Sequence, residues 1–302
     1  EVAEANTLRF RSANTGSNTA GLIAGGEVPS TAASAVVESW NGSAWTEISD
    51  INSSRQQFVA AGTYTEALVM GGDLNPGLTG KTEYYDGSSW SEKADLSTAR
   101  YINYGSSGDS VAQALVFGGS TGSRTDSTEE WTQSSTFSKL NLGQVYFNSD
   151  SNAFKVTEQP VPGGSFSAGG NLNQAREGAA VTGTRDANIA AGGSGPTVLV
   201  ANTESYDGSA WTEVNDLPGT RVNGGGAGTQ TAALYISGQP PGTPYSTDVF
   251  SWDGTSWTDG TDVTNRHATG GAIGIQTAAI IVAGRDAPTA LQPAVESWNG
   301  SA

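Results

Sequence analysis

An arginine recurs along this chain at Arg55, Arg100, Arg176, Arg221 and Arg266, three of the four intervals being 45 residues. A guanidinium presents five N–H donors in a planar fork, the chemistry that holds carboxylates, phosphates or acidic peptides. The recurrence matters because the sequence has only 14 Lys and Arg against 30 Asp and Glu, a formal net charge of −16. Three acids recur as well, Asp86, Asp207 and Asp253, each followed by glycine. Glycosidic hydrolysis uses two carboxylates at a set separation. Here asparagine takes the same place at Asn41 and Asn299, which marks a turn residue and not a catalytic acid. There is one histidine, His267, and no cysteine. Thiol catalysis, disulfides and cysteine-ligated metals are thereby excluded, and no His-rich cluster, tandem-Asp or EF-hand pattern marks a metal site. A serine triad would need His267, which sits in a repeat position held elsewhere by Gln56, Tyr101, Glu177 and Val222. No catalytic residue, cofactor or metal is expected, and the chain reads as a non-enzyme.

The arginines belong to a repeat. Its clearest marker is an aromatic hairpin: VVESWNGSAWTE at 36–47, TEYYDGSSWSE at 82–92, TESYDGSAWTE at 203–213, DVFSWDGTSWT at 248–258 and AVESWNGSA at 294–302. Two short β-rich runs joined by Asn-Gly or Asp-Gly form the strongest local hairpin signal. The aromatic pairs read as Trp40/Trp45, Tyr85/Trp90, Trp131/Phe137, Tyr206/Trp211, Trp252/Trp257, and Trp298 alone. A second marker is an aliphatic run ending in Gly-Gly: GLIAGG (21–26), ALVMGG (67–72), ALVFGG (114–119) and NIAAGG (188–193). ALYISG (233–238) and AIIVAG (279–284) keep one glycine. The arginine, about ten residues after each pair, is the third marker.

Four strand-like segments in a unit of this length predict a propeller blade. The expected fold is an all-β, six-bladed β-propeller of four-stranded antiparallel blades, one domain over residues 1–302. Small-sided segments such as GAAVTG (178–183) suit inner strands, where blades converge. Aromatics suit the rim, where blades splay apart. The Gly-Gly predicts a sharp turn with positive φ. These markers resemble the kelch family of β-propellers, although here the aromatic pair is only five residues apart. In kelch adaptors, arginines around the channel mouth bind acidic peptides, so the resemblance makes Arg55, Arg100, Arg176, Arg221 and Arg266 candidate channel-mouth residues. The competing expectation is that each pairs with an acid or carbonyl of the adjacent blade, a packing role. Kelch-like oxidases resembling galactose oxidase need copper, histidine pairs and a cysteine-linked tyrosine, which this composition excludes.

Glu1–Arg9 aligns residue for residue with Glu47–Arg55. Residues 1–6 are therefore expected to form the outer strand of the last blade, closing the ring and removing exposed sheet edges. The Trp-Thr missing between Ala302 and Glu1 suggests a window cut from a longer polypeptide. One repeat carries an insert, placed at 141–170 between blades. In it QVYFN and AFKVTE alternate apolar and polar residues around SDSN, predicting an extra hairpin. Its wording resembles short segments of tail and fibre proteins of tailed bacteriophages, with Tyr146, Phe147 and Phe154 as candidate partner contacts.

The acidic balance disfavours nucleic acid and anionic membranes as partners, and no run of 18 apolar residues predicts a membrane span. The expected function is a structural or adhesive module of a phage virion or similar extracellular assembly, contacting other subunits, copies of itself or a host glycan. Sialidases are also six-bladed, and SWDGTSW (251–257) looks similar to their Asp-boxes. The alternative is accordingly a secreted glycan-binding or sialidase-like propeller.

Overall fold

The computed structural model describes residues 2–30, 32–101, 108, 110–134, 145–148, 153–156, 163–242, 245–287, 290–291 and 293–300. Within them the chain forms successive antiparallel sheets, one per repeat. The first blade is β1 (Ala13–Ser17), β2 (Ala20–Ala24), β3 (Val37–Trp40) and β4 (Trp45–Ile48). The second is β5 (Val59–Gly62), β6 (Ala67–Met70), β7 (Thr82–Tyr85) and β8 (Trp90–Lys93). In the third, β9 (Gln113–Phe117) pairs with β10 (Thr128–Gln133); β11 (Val145–Asn148) and β12 (Ala153–Val156) pair with each other, and β13 (Gly164–Ala168) returns to β10. The fourth is β14 (Ala180–Thr184), β15 (Ala187–Ala191), β16 (Thr203–Tyr206) and β17 (Trp211–Val214). The fifth is β18 (Gly225–Thr229), β19 (Ala232–Ile236), β20 (Val249–Trp252) and β21 (Trp257–Asp259). The sixth has β22 (Gly271–Ile275), β23 (Ala278–Val282) and β26 (Val295–Trp298), with the small β24 (Arg285–Ala287) and β25 (Ala290–Leu291) between.

Residue type explains the radial order. Second strands such as Leu22–Ala24 and Ile280–Val282 are aliphatic and buried on both faces, as a central strand requires. Hairpin aromatics lie opposite one another, Trp40 on Trp45 and Tyr206 on Trp211, with ring centroids 5.2 and 5.0 Å apart. Gly25 and Gly26 take φ of 54° and 102°, as the sequence predicts, and the Gly26 amide reaches across to Arg55 O at 2.9 Å, tying one blade to the next linker.

The last blade departs from expectation. It was expected to be closed by residues 1–6 as its outer strand, but its sheet is three-stranded, β22-β23-β26. Val2 meets Val295 in an isolated bridge, and residues 3–9 form no strand. The reason is local. Bonds to the first blade engage the N-terminal segment in place of ladder pairing along Val295–Trp298. The N-terminal segment is drawn to the first blade instead. Ala3 O accepts from Trp45 Nε1 at 3.1 Å, and the Asn6 and Thr7 amides donate to the Glu38 carboxylate.

The insert is also placed differently. Because β13 pairs with β10, residues 164–168 are an outer strand of the third blade and not part of an insert at 141–170 between blades. Trp131 faces Phe166, centroids 5.2 Å apart; Phe137 lies outside the described residues. The extra chain therefore replaces the tight turn within a hairpin. Thirty-four residues separate Trp131 from Phe166, where Asn-Gly-Ser-Ala separates Trp40 from Trp45.

Gly228, at φ 115°, ends an inner strand beside the axis, and a Cβ there would strike Ala232 O. Gly228→Ala is expected to destabilise by at least about 1–3 kcal/mol, read as a lower urea midpoint with unchanged slope.

Candidate functional site

The repeated arginines go inside the blades. Arg55 and Arg176 are fully buried and Arg100 is 1% exposed. Each pairs with a glutamate two residues before the first hairpin aromatic: Arg55 with Glu83, Arg100 with Glu129 (2.9 Å), Arg176 with Glu204. The structure adds a fourth, Arg9 with Glu38. The second fork arm of Arg55 donates to Gly71 O (3.1 Å) and Lys81 O (2.6 Å), and Arg176 does the same at Gly192 O and Asn202 O. Desolvation pushes these guanidinium pKa values down, and the paired carboxylates pull them back. The carboxylates also take linker amides, Asn52 and Ser53 on Glu83, Asn173 on Glu204. This is the packing arrangement, not a channel-mouth ring.

Two repeats vary it. In the fifth blade Phe250 occupies the glutamate position, so Arg221 pairs with Asp248 and lies 5.0 Å from the Phe250 ring centroid. In the sixth, Arg266 is exposed, and the next residue, His267, makes the conserved contacts with Ala283 O and Glu296. The signal was in the spacing. His267 lies ten residues after Trp257, as Arg55 does after Trp45, and Phe166 lies ten before Arg176.

The mouth is built by residues just beyond these pairs, which the repeat leaves variable. Arg11, Gln57, Asn223 and Thr269 each precede an inner strand by one or two residues and adopt φ of 56°, 55°, 63° and 59°. Gly178 holds the equivalent place in the fourth blade, with φ 67°. Left-handed backbone is costly for side chains other than glycine, most of all for threonine. What holds it is a belt of inter-blade bonds. Asn223 N donates to Gly178 O (2.7 Å), Thr269 N to Asn223 O (2.9 Å), Arg11 N to Thr269 O (3.0 Å) and Gln57 N to Arg11 O (2.9 Å).

Arg11, Gln57, Gly178 and Asn223 rim a polar cavity of about 310 Å³ with Tyr101, Glu177 and Ser194. Tyr101 Oη donates to Glu177 Oε2 at 2.8 Å, and Arg124 Nη2 lies 2.9 Å from both Glu177 Oε1 and Ser194 Oγ. Arg11 Nη1 donates to Glu27 Oε2 at 2.8 Å. Burial pushes the Tyr101 phenol up, so it stays a donor. Arginines do gather at this mouth, but Arg11 and Arg124 are not the repeated ones. The cavity is lined by guanidinium, amide and phenol groups beside the Glu177 carboxylate, whose oxygens are held by Tyr101 and Arg124.

At the opposite ends of the inner strands an axial cavity of about 380 Å³ is lined by glycine, Thr15, Thr182, Thr229 and Ile273. Two of its threonines donate to backbone, Thr15 Oγ1 to Gly62 O and Thr182 Oγ1 to Gly228 O. The recurring acids are turn residues as expected. Asp86 Oδ1 accepts from the Ser88 and Ser89 amides, which hold its pKa at about 2. The Asp253 carboxyl is held at about 2 by the Thr255 hydroxyl and the Ser256 and Thr255 amides. Tyr146, Phe147 and Phe154 lie on the paired β11 and β12, Phe147 opposite Phe154; their side chains lie outside the described residues. Among the described residues no group of three or more His, Asp or Glu is placed to hold a metal ion.

Glu83→Gln leaves the buried Arg55 without its counter-ion and is expected to cost about 3–5 kcal/mol, measured by urea unfolding. Burial works against the charge of Glu296, but the His267 hydrogen bond and the Thr264 and Asn265 amides outweigh it and hold its pKa at about 2. A carboxylate with a depressed folded pKa stabilises above its ordinary range and loses that contribution as pH falls. Glu296→Gln is therefore expected to flatten the fall in melting temperature between about pH 4.5 and pH 2.

No protein-family model matches the sequence, and no curated protein resembles it at a significant level. Solved structures do match. The structure of YjhT superposes with a TM-score of 0.68 over 98% of this chain and 96% of that one, at 13% sequence identity. At that identity the likeness speaks for architecture alone. With the sheets and the shared architecture together, the chain has a six-bladed β-propeller fold.

Proposed function

We propose that this chain is a non-enzymatic contact module, a rigid propeller that holds loops out for a protein or glycan partner. The observation that carries this reading is the position of the insert. It grows from the hairpin tip of the third blade, where every other complete copy keeps a two-residue turn, and it contains a β-hairpin of its own. An extension at a rim turn leaves the fold's internal bonding untouched while adding surface, the usual way a rigid scaffold acquires a binding function. The virion-like wording of that insert supports a place in a phage particle or similar extracellular assembly, with other subunits or copies of itself as neighbours. Among the described residues no helix is long and apolar enough to cross a membrane.

A second reading, a glycan-binding or sialidase-like propeller, draws on the Arg11, Tyr101 and Glu177 cluster at the mouth. The intracellular peptide-adaptor reading needs Arg55, Arg100 and Arg176 exposed, and they are buried in ion pairs.

Replacing residues 132–165 by Asn-Gly-Ser-Ala restores the standard hairpin and separates the readings. The shortened protein is expected to keep its far-UV circular dichroism and melt within a few degrees of the parent. It should lose self-association in sedimentation velocity, or glycan-array binding, that the full chain shows. Equal association or binding by both proteins overturns the insert-centred reading. Loss of glycan binding in Arg11→Ala or Tyr101→Phe, with the insert intact, favours the second.

A further inference from the structure

The hairpin of the first blade turns on Asn41-Gly42-Ser43-Ala44, one of three Asn-Gly steps in the sequence beside Asn223-Gly224 and Asn299-Gly300. An asparagine side chain and the next backbone amide can close into a cyclic imide, and the surroundings of Asn41 favour that closure. Asn41 Oδ1 accepts from the Ser43 amide, the Ser43 hydroxyl and the Ala44 amide, each at 2.9 Å. Attack on Cγ puts negative charge on that same oxygen, and donors already aimed at it lower the barrier as an oxyanion hole does. The attacking nitrogen is unencumbered. Gly42 N has no acceptor among the described residues, and Gly42 is exposed.

The other copies show that this donor set suits an anion. Asp86, Asp207 and Asp253 hold the same place, and each gives its Oδ1 to the two amides and the hydroxyl that follow. Those amide and hydroxyl bonds draw all three carboxyl pKa values down, to about 2 at Asp86 and Asp253. Donors that favour charge on a carboxylate oxygen also favour it on the oxygen of an asparagine under attack.

We propose that Asn41 is a self-modifying site, at which the folded turn drives conversion of the asparagine to aspartate. Gly42 N bonds to Asn41 Cγ and gives up its proton, the Cγ–Nδ2 bond breaks, and the side-chain nitrogen leaves as ammonia. Water then opens the imide. Cleavage of the new Cγ–N bond gives aspartate, and cleavage at the main-chain carbonyl gives the isoaspartyl isomer. Water is consumed, ammonia is released, and no electrons are transferred. Aspartate fits the turn, as the other copies show, whereas the isoaspartyl product lengthens the backbone and disturbs the pairing of Trp40 with Trp45. The change adds a negative charge at the hairpin tip of the first blade, the place from which the insert grows in the third. Asn223-Gly224 lacks these features. Gly224 is buried against the Tyr235 ring, and Asn223 is fixed in the inter-blade belt by its amide and carbonyl.

Both sites can be followed by peptide mapping and mass spectrometry while the intact chain is incubated at neutral pH, folded or in urea. Asn41 is expected to convert faster in the folded protein than in urea, and Asn223 slower. Ser43→Ala removes one donor and should slow the folded reaction at Asn41 by about tenfold, short of the about hundredfold lost with one donor of a water-excluded hole. Its rate in urea should match the parent's. Ser43→Thr keeps the hydroxyl, as Thr255 does beside Asp253, and should convert at the parent rate. Slower conversion of Asn41 in the folded chain than in urea, or an undiminished folded rate in Ser43→Ala, overturns the assignment.

Discussion

The structure depends on a buried guanidinium–carboxylate bond made in four of the blades and varied in the fifth and sixth. Desolvating two such ions costs several kcal/mol each, which added hydrogen bonds to the fork and to the carboxylate offset. That condition shapes the blade. The glutamate of the third strand must collect linker amides, and the arginine must reach the carbonyls of the second-strand turn and of the third-strand entry. Linker, turn and strand therefore meet at one point. Blade five shows the constraint by its exception. With Phe250 in the glutamate's place, the arginine moves to Asp248 and stacks on the ring, which keeps the charge paired and the plane covered.

A consequence follows for any binding role. Most of the repeated cations are consumed internally, so recognition falls to positions the repeat does not constrain. Among these are Arg11, Gln57 and Asn223, two places beyond the paired arginines of their blades, and the insert of the third blade. At the mouth, backbone strain of a kind usually met at functional sites is held by the inter-blade belt, since Arg11, Asn223 and Thr269 each donate to one neighbouring blade and accept from another. A polar rim on a rigid frame results, with the insert at the other end of the strands.

The blade pattern was legible because it is written in local chemistry. Asn-Gly and Asp-Gly turns, aliphatic second strands and small-sided inner strands act over a few residues, and each forms where the sequence places it. The role of the arginines was half legible. Their recurrence is plain, but the partner glutamate lies 28 or 29 residues away in sequence, and only the folded sheet brings the two together. Phe137 seemed the natural partner of Trp131 by proximity. The ten-residue interval from Phe166 to Arg176 pointed to the correct one, and the same interval pointed to His267 over Arg266.

By itself the sequence determined how many times the unit repeats, which residues are equivalent and where the tight turns fall, since a period and a turn type are properties of neighbouring residues. The tertiary structure decided radial position and pairing. It turned the arginines inward because burial is affordable only beside a carboxylate that a distant strand supplies. It bound the N-terminal segment to Glu38 and Trp45 of the first blade, leaving the last sheet with three strands. Strand closure needs a register, and the register is set by the partners the segment meets.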